Sequence, residues 1–182
     1  MSALSELDEI RAAAAGNRLA QSALVARHTP KVYALARRLV RDEALAEDIT
    51  QEAFLRMWKV LEGWEPRAKL STWLYRVTLN LCRDLGRKRR ETTVDELPEQ
   101  IDGNLRPDEL AEQKERLTVL QDAIEALPPR QCEALTLCGI EEHTNIEAAE
   151  ILEISVEALE SLLARARRKL RANLLDKHGA VV

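Results

Sequence analysis

Aromatic residues and cysteines are scarce in this sequence of 182 residues, and the structural patterns that depend on them are missing too. Phe, Trp and Tyr together make up 3% of the chain. The three cysteines, at positions 82, 132 and 138, are odd in number and have no CxxC spacing. They therefore predict reduced core thiols rather than a disulfide framework or a zinc site. The three histidines are equally scattered, so no metal site is predicted.

Long apolar runs are also absent. No stretch approaches the roughly 20 consecutive apolar residues that a membrane-spanning helix needs. The N-terminal sequence MSALSELDEIRAAAAGN has acidic residues where a signal peptide needs positive ones. We therefore expect a cytoplasmic protein with no direct membrane insertion.

Patterns that indicate catalysis or a nucleotide cofactor are missing as well. The chain has no Gly-rich phosphate loop and no GxGxxG motif. Its carboxylates are many, but none has a His, Cys or Ser neighbour in the arrangement of a base and a nucleophile. The sequence predicts no enzyme activity, no metal and no cofactor.

What remains is a composition of good helix formers. Hydrophobic residues make up 46% and charged residues 32%, with Ala, Leu, Glu and Arg abundant and no alternating β-branched runs. The sequence predicts an all-α fold of two small helical domains, residues 1–90 and 110–182, the second with a helix-turn-helix. Residues 91–109, ETTVDELPEQIDGNLRPDE, hold seven acidic residues against one arginine, and they predict an acidic extended linker.

The first domain begins with apolar residues that fit two or three helices, interrupted near Gly16 and at Thr29-Pro30, with Pro30 at a helix start. The next helix, DEALAEDITQEAFLRMWKV, has an apolar stripe: Leu45, Ile49, Ala53 and Met57. The opposite face carries Ala44, Asp48, Gln51 and Leu55, which follow one another at spacings of four, three and four residues. Glu52 lies beside them. This face suits a protein partner or a plain solvated surface equally well on pattern alone.

The segment STWLYRVTLNLCRDLGRKRR, residues 71–90, predicts an amphipathic helix that continues to Gly86 and a basic run. Its apolar stripe should pack on the first domain: Leu70, Leu74, Val77, Leu81 and Leu85. The opposite face carries donors that suit phosphates and base edges: Thr72, Arg76, Asn80, Arg83 and Arg87, followed by Lys88. Trp64, Trp73 and Tyr75 lie nearby, and aromatic surfaces stack on unpaired bases. The alternative is a solvated face with core tryptophans.

Two short helices separated by a tight turn follow in the second domain, with Asn145 and Ser155 as predicted caps. The second helix has an inward stripe: Val156, Leu159, Leu163, Ala166 and Leu170. Its outward side chains lie where a helix that reads the major groove would make its contacts: Glu157, Glu160, Ser161, Ala164, Arg165 and Arg168. Arg167 adds positive charge near the helix end. The alternative is a C-terminal helix with cations near the negative end of its dipole.

These blocks, AEDITQEAFLRMWK, then STWLYRVTLNLCRDLGRKRR, then LPPRQCEAL and TNIEAAEILEISVEALESLLARARRKLR, closely resemble regions 2 and 4 of the extracytoplasmic-function (ECF) class of bacterial sigma factors. The likeness runs in order along nearly the whole chain. It implies a two-domain all-α protein that binds core RNA polymerase and directs it to promoters. The partners it implies are core polymerase, through the β′ clamp helices and the β flap, promoter DNA, and an anti-sigma factor that can be membrane-bound.

The resemblance also assigns roles. The residues implied to bind the β′ clamp helices are Asp48, Gln51 and Glu52, with Leu55 on the same ridge. The residues implied to recognise and open the -10 element are Trp64, Lys69, Trp73, Arg76, Asn80, Arg83, Asp84, Arg87 and Lys88. The residues implied to contact the -35 duplex are Glu157, Glu160, Ser161, Ala164, Arg165, Arg167 and Arg168. The linker would lie inside the polymerase near the RNA path.

The chain departs from the family pattern at several positions. Cys132 stands where an arginine is usual, and Glu153 replaces a common turn glycine, so the turn cannot rely on the easy positive φ of glycine. Glu157 and Glu160 place negative charge on the predicted DNA-reading helix. A glutamate accepts from cytosine N4 but repels phosphates, which leaves the -35 sequence preference open.

Two other functions remain open from the sequence. One is an autonomous helix-turn-helix regulator or a sigma-mimicking adaptor. The regulator would bind duplex DNA without polymerase. The other is a helical adaptor with no DNA role, for which we expect no salt-dependent binding to DNA at all.

Overall fold

The computed structural model describes residues 6–65, 68–92, 118–120, 122–124 and 126–178. In these residues every regular element is helical, which confirms the predicted all-α class. The elements are α1 (Glu6–Ala14), α2 (Arg18–Val40), α3 (Glu43–Leu61), α4 (Leu70–Thr92), α5 (Pro129–Leu135), a π-helical turn (Thr136–Ile140), α6 (Asn145–Leu152) and α7 (Val156–His178).

Two compact units are present, the first built from α1 to α4 and the second containing α5, α7 and the first five residues of α6. The first two residues of the predicted linker, 91 and 92, are the last two residues of α4, and the rest of the linker lies outside the described residues.

The first unit is organised around α2, which packs against α1, α3 and α4. All four helices contribute to its main core: Ile10, Leu24, Val32, Phe54, Met57, Leu70 and Leu74. Fully burying one such side chain stabilises the fold by roughly 1.5–3 kcal/mol. Because most helical stability in proteins comes from packing of an apolar face, the core stabilises these helices more than helix propensity does.

The break between α1 and α2 lies where the sequence predicts it. Gly16 has a φ of 88°, and the N–H of Asn17 donates to the Ala12 carbonyl at 3.0 Å, which is the closing bond of a Schellman turn. The Asn17 side chain then caps α2 by accepting from the N–H of Leu19 at 3.0 Å. One glycine and one asparagine thus end one helix and begin the next.

The second predicted interruption, at Pro30, is wrong. Pro30 lies inside α2, where it removes a backbone donor at a cost of about 3 kcal/mol. The Thr29 hydroxyl donates to the Val25 carbonyl at 2.8 Å, one turn earlier in the helix. Leu24 and Val32 are buried on either side of the proline. Their packing requires one continuous helix and outweighs the local penalty.

Helix α4 is longer and more deeply buried than the sequence predicts. It continues through Gly86 to Thr92. The predicted stripe is partly correct, since Leu70 and Leu74 are fully buried, but Leu79 and Thr78 are buried too. Because α4 packs against both α2 and α3, it buries a wider arc than a single stripe.

In the second unit, α5 packs against α7, and Pro129 is its first residue, where a missing backbone N–H costs nothing. The buried side chains of this unit include Ala134, Leu137, Leu159, Leu163 and Ala166. The Asn173 amide donates to the Ala123 carbonyl at 3.1 Å, which ties the later part of α7 to the helical residues before α5. The predicted inward stripe of α7 is thus confirmed at its three central positions.

Three further findings concern the absences noted in the sequence. The three cysteines, all among the described residues, form no disulfide and are half-buried. Within the described ranges, no three His, Cys, Asp or Glu side chains are grouped so that they could hold a metal ion. None of the described helices is both long enough and apolar enough to cross a membrane.

Candidate functional site

The exposed side of α3 carries a row of polar side chains and one leucine. Asp42 caps the helix, its carboxylate accepting from the N–H of Leu45 at 2.9 Å. Ile49, Ala53 and Met57 are buried as predicted. We call the outward row the α3 ridge and define it as Ala44, Asp48, Gln51, Glu52 and Leu55.

Charge on the α3 ridge is unevenly distributed. The Glu52 carboxylate accepts from Arg56 Nε at 2.8 Å in an exposed pair one turn along the helix. The Asp48 side chain is exposed, and Leu55 leaves 48% of its surface in solvent. A carboxylate, an amide and an exposed leucine along one line match the mixed polar and apolar composition of protein interfaces.

Helix α4 presents a different surface, which we call the α4 basic face and define as Arg76, Asn80, Arg83, Arg87 and Lys88. Asn80, Arg87 and Lys88 are exposed, and Arg76 and Arg83 are half-buried. This row lies on the side of α4 away from its buried arc. Four cations and an amide along roughly three turns form a surface suited to phosphates and to base edges.

Hydrogen bonds fix parts of this face. Arg83 Nη1 donates to Asn80 Oδ1 at 2.9 Å, which occupies the amide oxygen and leaves the amide N–H₂ as the donor end of Asn80. Arg87 Nη2 donates to Asp84 Oδ1 at 3.1 Å in an exposed pair. Asp84 therefore offsets part of the positive charge of the face rather than adding a donor.

The aromatic residues near α4 are placed differently from the prediction. Trp64 and Trp73 contact edge to face, with ring centroids 6.1 Å apart, and both are half-buried against the core. Each keeps part of its surface exposed beside α4. Thr72 is 8% exposed, so the prediction that it faces outward is wrong, and Tyr75, at 3% exposed, presents almost no surface on which a base could stack. Burial also raises the pKa of the Tyr75 hydroxyl.

The helix-turn-helix begins with a cap one residue earlier than predicted. Thr144, not Asn145, forms a capping box with Glu147: the Glu147 N–H donates to Thr144 Oγ1 at 3.3 Å, and the Thr144 N–H donates to the Glu147 carboxylate at 3.1 Å. The predicted cap at Ser155 is confirmed, because its hydroxyl accepts from the Ala158 N–H at 3.2 Å. Both helices thus have capped starts, but only α6 is short: α7 continues for 23 residues, so the prediction of two short helices is wrong for the second.

The turn between α6 and α7 adopts a positive φ without a glycine. Glu153 has a φ of 56°, the left-handed conformation that glycine adopts at no cost. The Ile154 N–H donates to the Ala149 carbonyl at 3.1 Å, the closing bond of a Schellman turn. A glutamate here costs on the order of 1–3 kcal/mol. Buried residues on both sides, Leu152 and Leu159, hold the turn in place.

The outward side of α7 is exposed at every predicted position. We call it the α7 face: Glu157, Glu160, Ser161, Ala164, Arg165 and Arg168, with Arg167 beside it. Arg165 Nε donates to the Ser161 carbonyl one turn back at 3.1 Å, which holds the guanidinium along the helix. The pKa of Glu157 is lowered by its own backbone N–H and by the Ser155 hydroxyl, so this carboxylate stays ionised.

One contact on this face is missing from the sequence prediction. Asn145 Nδ2 lies 3.4 Å from Glu160 Oε1, so the first residue of α6 touches the side chain of a proposed DNA contact on α7. Cys138 Sγ lies 3.9 Å from the Asn145 Oδ1, and burial raises the pKa of this thiol. Residues 15 positions apart across a turn give no local signal, so only the fold reveals this pair.

Comparison with protein families gives two matches in the same order as the predicted domains. Residues 24–92 match "Sigma-70 region 2", a range that includes the α3 ridge and the α4 basic face. Residues 117–170 match "Sigma-70, region 4", a range that includes the helix-turn-helix and most of α7.

Several curated relatives match over most of the chain. CnrH of Cupriavidus metallidurans, an RNA polymerase sigma factor, is 32% identical over 90% of this chain and 91% of its own length. SigW of Bacillus subtilis, an ECF sigma factor, is 34% identical over 80% of this chain and 84% of its own length. SigE of Mycolicibacterium smegmatis, also an ECF sigma factor, is 33% identical over 86% of this chain, which spans 62% of that relative.

Solved structures give the same result. CnrH in complex with the cytosolic domain of CnrY matches with a TM-score of 0.71 and 30% identity, over 94% of this chain and 97% of that one. The sigma factor RpoE of Bartonella quintana, solved with the anti-sigma factor NepR, matches with a TM-score of 0.62 at 22% identity over 84% of this chain and 95% of that one, which supports the fold alone.

Proposed function

Because this chain belongs to the extracytoplasmic-function class of RNA polymerase sigma factors, we propose that it binds core RNA polymerase through the α3 ridge and directs it to promoters with two DNA-binding surfaces. The α4 basic face and the loop before it recognise and open the -10 element. The α7 face reads the -35 element as duplex. The proposal places residues 1–90 in the first domain, 91–109 in the linker and 110–182 in the second domain, acting in the cytoplasm without a catalytic step.

The observation that carries this proposal is the separation of charge among three exposed surfaces. The α3 ridge carries carboxylates and an amide and suits a protein, whereas the α4 basic face and the cations of the α7 face suit nucleic acid. A conventional helix-turn-helix regulator needs only the last of these surfaces. Only a protein that joins a polymerase to DNA at two places uses all three.

The direct test is transcription by purified core polymerase with and without this chain, on promoters upstream of its own operon. Specific transcripts that depend on the added chain support the proposal. Transcripts that are equal in its absence, or repression without any activation, contradict it and favour the alternative of an autonomous regulator.

The half-exposed position of Arg76 and the exposed position of Asn80 lead to a prediction about promoter opening. Alanine at both positions should impair opening of the -10 element more than initial docking, because these side chains lie on the face proposed to hold the opened strand. Permanganate reactivity of unpaired thymines measures opening, and filter binding at low temperature measures docking. Arg11→Ala, an exposed change on α1, is the control.

A premelted bubble across the -10 element separates two causes of this defect. If strand separation is the lost step, the bubble should restore most of the activity of the double variant. Normal docking with no rescue by the bubble would show that Arg76 and Asn80 act in base recognition after opening instead.

The exposed guanidinium of Arg165 leads to a prediction about the -35 element. Arg165→Ala should cost about 1–3 kcal/mol in duplex recognition and relax preference at one base pair, if the contact is bidentate to a base. Competition among -35 variants for the holoenzyme measures this loss, with Arg11→Ala, an exposed change on α1, as the control. An unchanged preference with a uniform loss of affinity would make Arg165 a phosphate contact.

An anti-sigma factor is part of the proposal. Its support is that CnrH, which matches nearly the whole chain, was solved with the cytosolic domain of another protein. By this likeness the partner is a protein that covers the sigma factor and blocks polymerase, and it can be anchored in a membrane. Co-purification of the tagged chain with a protein whose addition stops transcription in the assay above tests this part.

A further inference from the structure

Helix α2 is the most one-sided helix of the first unit in its charge. Its 23 residues include five cations and no acidic residue. Residues 1–92 hold seventeen Lys and Arg against twelve Asp and Glu, a net charge of +5, although the whole chain is at -4. The positive charge of the first unit is therefore not confined to α4, and the proposed function above gives the cations of α2 no role.

Four of these cations share the exposed side of α2. These four residues, which we call the α2 band, are Arg27, Lys31, Arg37 and Arg38, and all of them are exposed. Successive positions in a helix rotate by about 100°, which places the four within one arc of roughly 120°. Arg18, the fifth cation, lies on the other side of the helix at its first turn.

Neighbouring acids neutralise little of the α2 band. Glu9 on α1 accepts two hydrogen bonds from Arg27, one of them at 3.0 Å. Lys31 and Arg37 have no carboxylate within ion-pair distance among the described residues. A merely solvated surface normally intersperses both signs of charge. A band with two unpaired cations instead fits an anionic partner.

The position of the band indicates which partner. The later half of α2 packs on α4, because Ala36 shares a core cluster with Leu81, Cys82 and Leu85. Arg38 also lies close enough to Tyr75 of α4 to act on its hydroxyl electrostatically. The α2 band therefore adjoins the helix that carries the α4 basic face.

We propose that the α2 band is a further DNA-binding surface, which holds the phosphodiester backbone of the promoter next to the -10 element. This inference rests on the proposed function. From Arg27 to Arg38 the band spans about 16 Å at 1.5 Å per residue. Charges on one DNA strand follow each other every ~3.4 Å of helix axis, so a band of this length reaches several phosphates.

Core polymerase is a less suitable partner for this band. The α3 ridge, which is proposed to bind polymerase, carries carboxylates, so a complementary polymerase surface there is positive. Such a surface would repel cations. DNA is the anionic component that the same complex already holds beside α4.

The test is the salt dependence of promoter binding by the reconstituted holoenzyme. Lys31→Ala with Arg37→Ala removes two exposed cations, and alanine favours the helix at both positions. Arg11→Ala with Arg18→Ala removes the same charge outside the band and is the matched control. We expect the slope of log K against log salt to become shallower by about 1–2 in the band variant, since each lost phosphate contact contributes ~0.9. The control should keep the wild-type slope.

Equal slopes in the band variant and the control would overturn the inference while leaving the proposed function intact. Weaker binding of core polymerase by the band variant, measured by titration without DNA, would also overturn it and assign the band to polymerase. Failure of the wild-type chain to bind core polymerase in that titration would instead refute the proposed function, and this inference with it. Circular dichroism melting of each variant shows that the fold is kept.

Discussion

Asp48→Arg combined with Gln51→Ala should remove most of the affinity of this chain for core RNA polymerase without unfolding it. Both side chains are exposed on α3, opposite the buried Ile49, Ala53 and Met57, so the core is not touched. Reversing a charge at a complementary interface leaves the partner's charge unpaired and adds repulsion. Such changes cost about 2–5 kcal/mol, which is a loss of thirtyfold to several thousandfold in affinity.

The choice of Asp48 over Glu52 follows from the ion pair on the ridge. Glu52 accepts from Arg56 at 2.8 Å, so part of its charge is offset within the helix, whereas no such pair is found for Asp48 among the residues that the structure describes. Replacing Asp48 therefore changes the electrostatic potential at the α3 ridge more than replacing Glu52 does. This ranking is itself measurable, since Glu52→Ala should cost less than Asp48→Ala.

Fluorescence titration of labelled core enzyme with each variant measures this prediction. Glu47→Arg is the matched control, because it makes the same charge change on α3 at an exposed position outside the ridge. An affinity of the folded double variant equal to that of the control would remove the α3 ridge from the polymerase interface. The two DNA-binding surfaces could then be tested independently of it.

Much of the fold follows from periodicity in the sequence. Ile49, Ala53 and Met57 of α3 and the central stripe of α7 are buried as predicted from residues three and four apart, although α3 also buries Phe54 and Leu61, outside its predicted stripe. Periodicity fails on α4, where Thr72 is buried although its position was predicted to face DNA. The pattern shows that a helix has a buried face, but the number of neighbours that it packs against sets how wide that face is.

Local rules fail where packing overrides them. Pro30 and Glu153 each break a rule on backbone conformation, at a cost of about 1–3 kcal/mol each. Leu24 and Val32 around the first, and Leu152 and Leu159 around the second, are buried at 2% exposure or less. A sequence shows the penalty at a single position, but it does not show the tertiary contacts that offset the penalty.

The candidate surfaces were more predictable than the contacts within them. Every predicted position of the α7 face is exposed, because outward residues follow directly from the inward stripe. The contact between Asn145 and Glu160, and the hydrogen bond from Arg83 to Asn80, depend on side-chain geometry that no spacing rule gives. The roles of these residues toward polymerase and DNA remain predictions for the experiments above.

The second large effect concerns the chain without polymerase. We expect the free protein to bind duplex promoter DNA weakly and without strong sequence preference, and core polymerase to make it specific. The net charge of -4 gives no long-range attraction to phosphate. The acidic residues 91–109 also separate the two basic stretches, at 83–90 and 165–171, in the sequence.

Each stretch alone neutralises only a few phosphates, so its affinity should resemble nonspecific binding, with Kd on the order of 10⁻⁴–10⁻⁶ M and a steep dependence on salt. Polymerase would fix the spacing of the two readers and turn two weak contacts into one bivalent engagement, which raises the effective concentration of the second. Specific complexes commonly reach Kd values of about 10⁻⁸ M or tighter, so the gain should be at least a hundredfold.

Anisotropy titration of a labelled promoter at physiological salt, with and without core enzyme, measures this gain. A scrambled -35 element and a scrambled -10 element serve as controls, and each should reduce the affinity of the holoenzyme but not that of the free chain. Tight, sequence-specific binding by the free chain would contradict the need for polymerase. It would mean that the α7 face alone supplies the specificity, as in an autonomous helix-turn-helix regulator, and that the α3 ridge serves another partner.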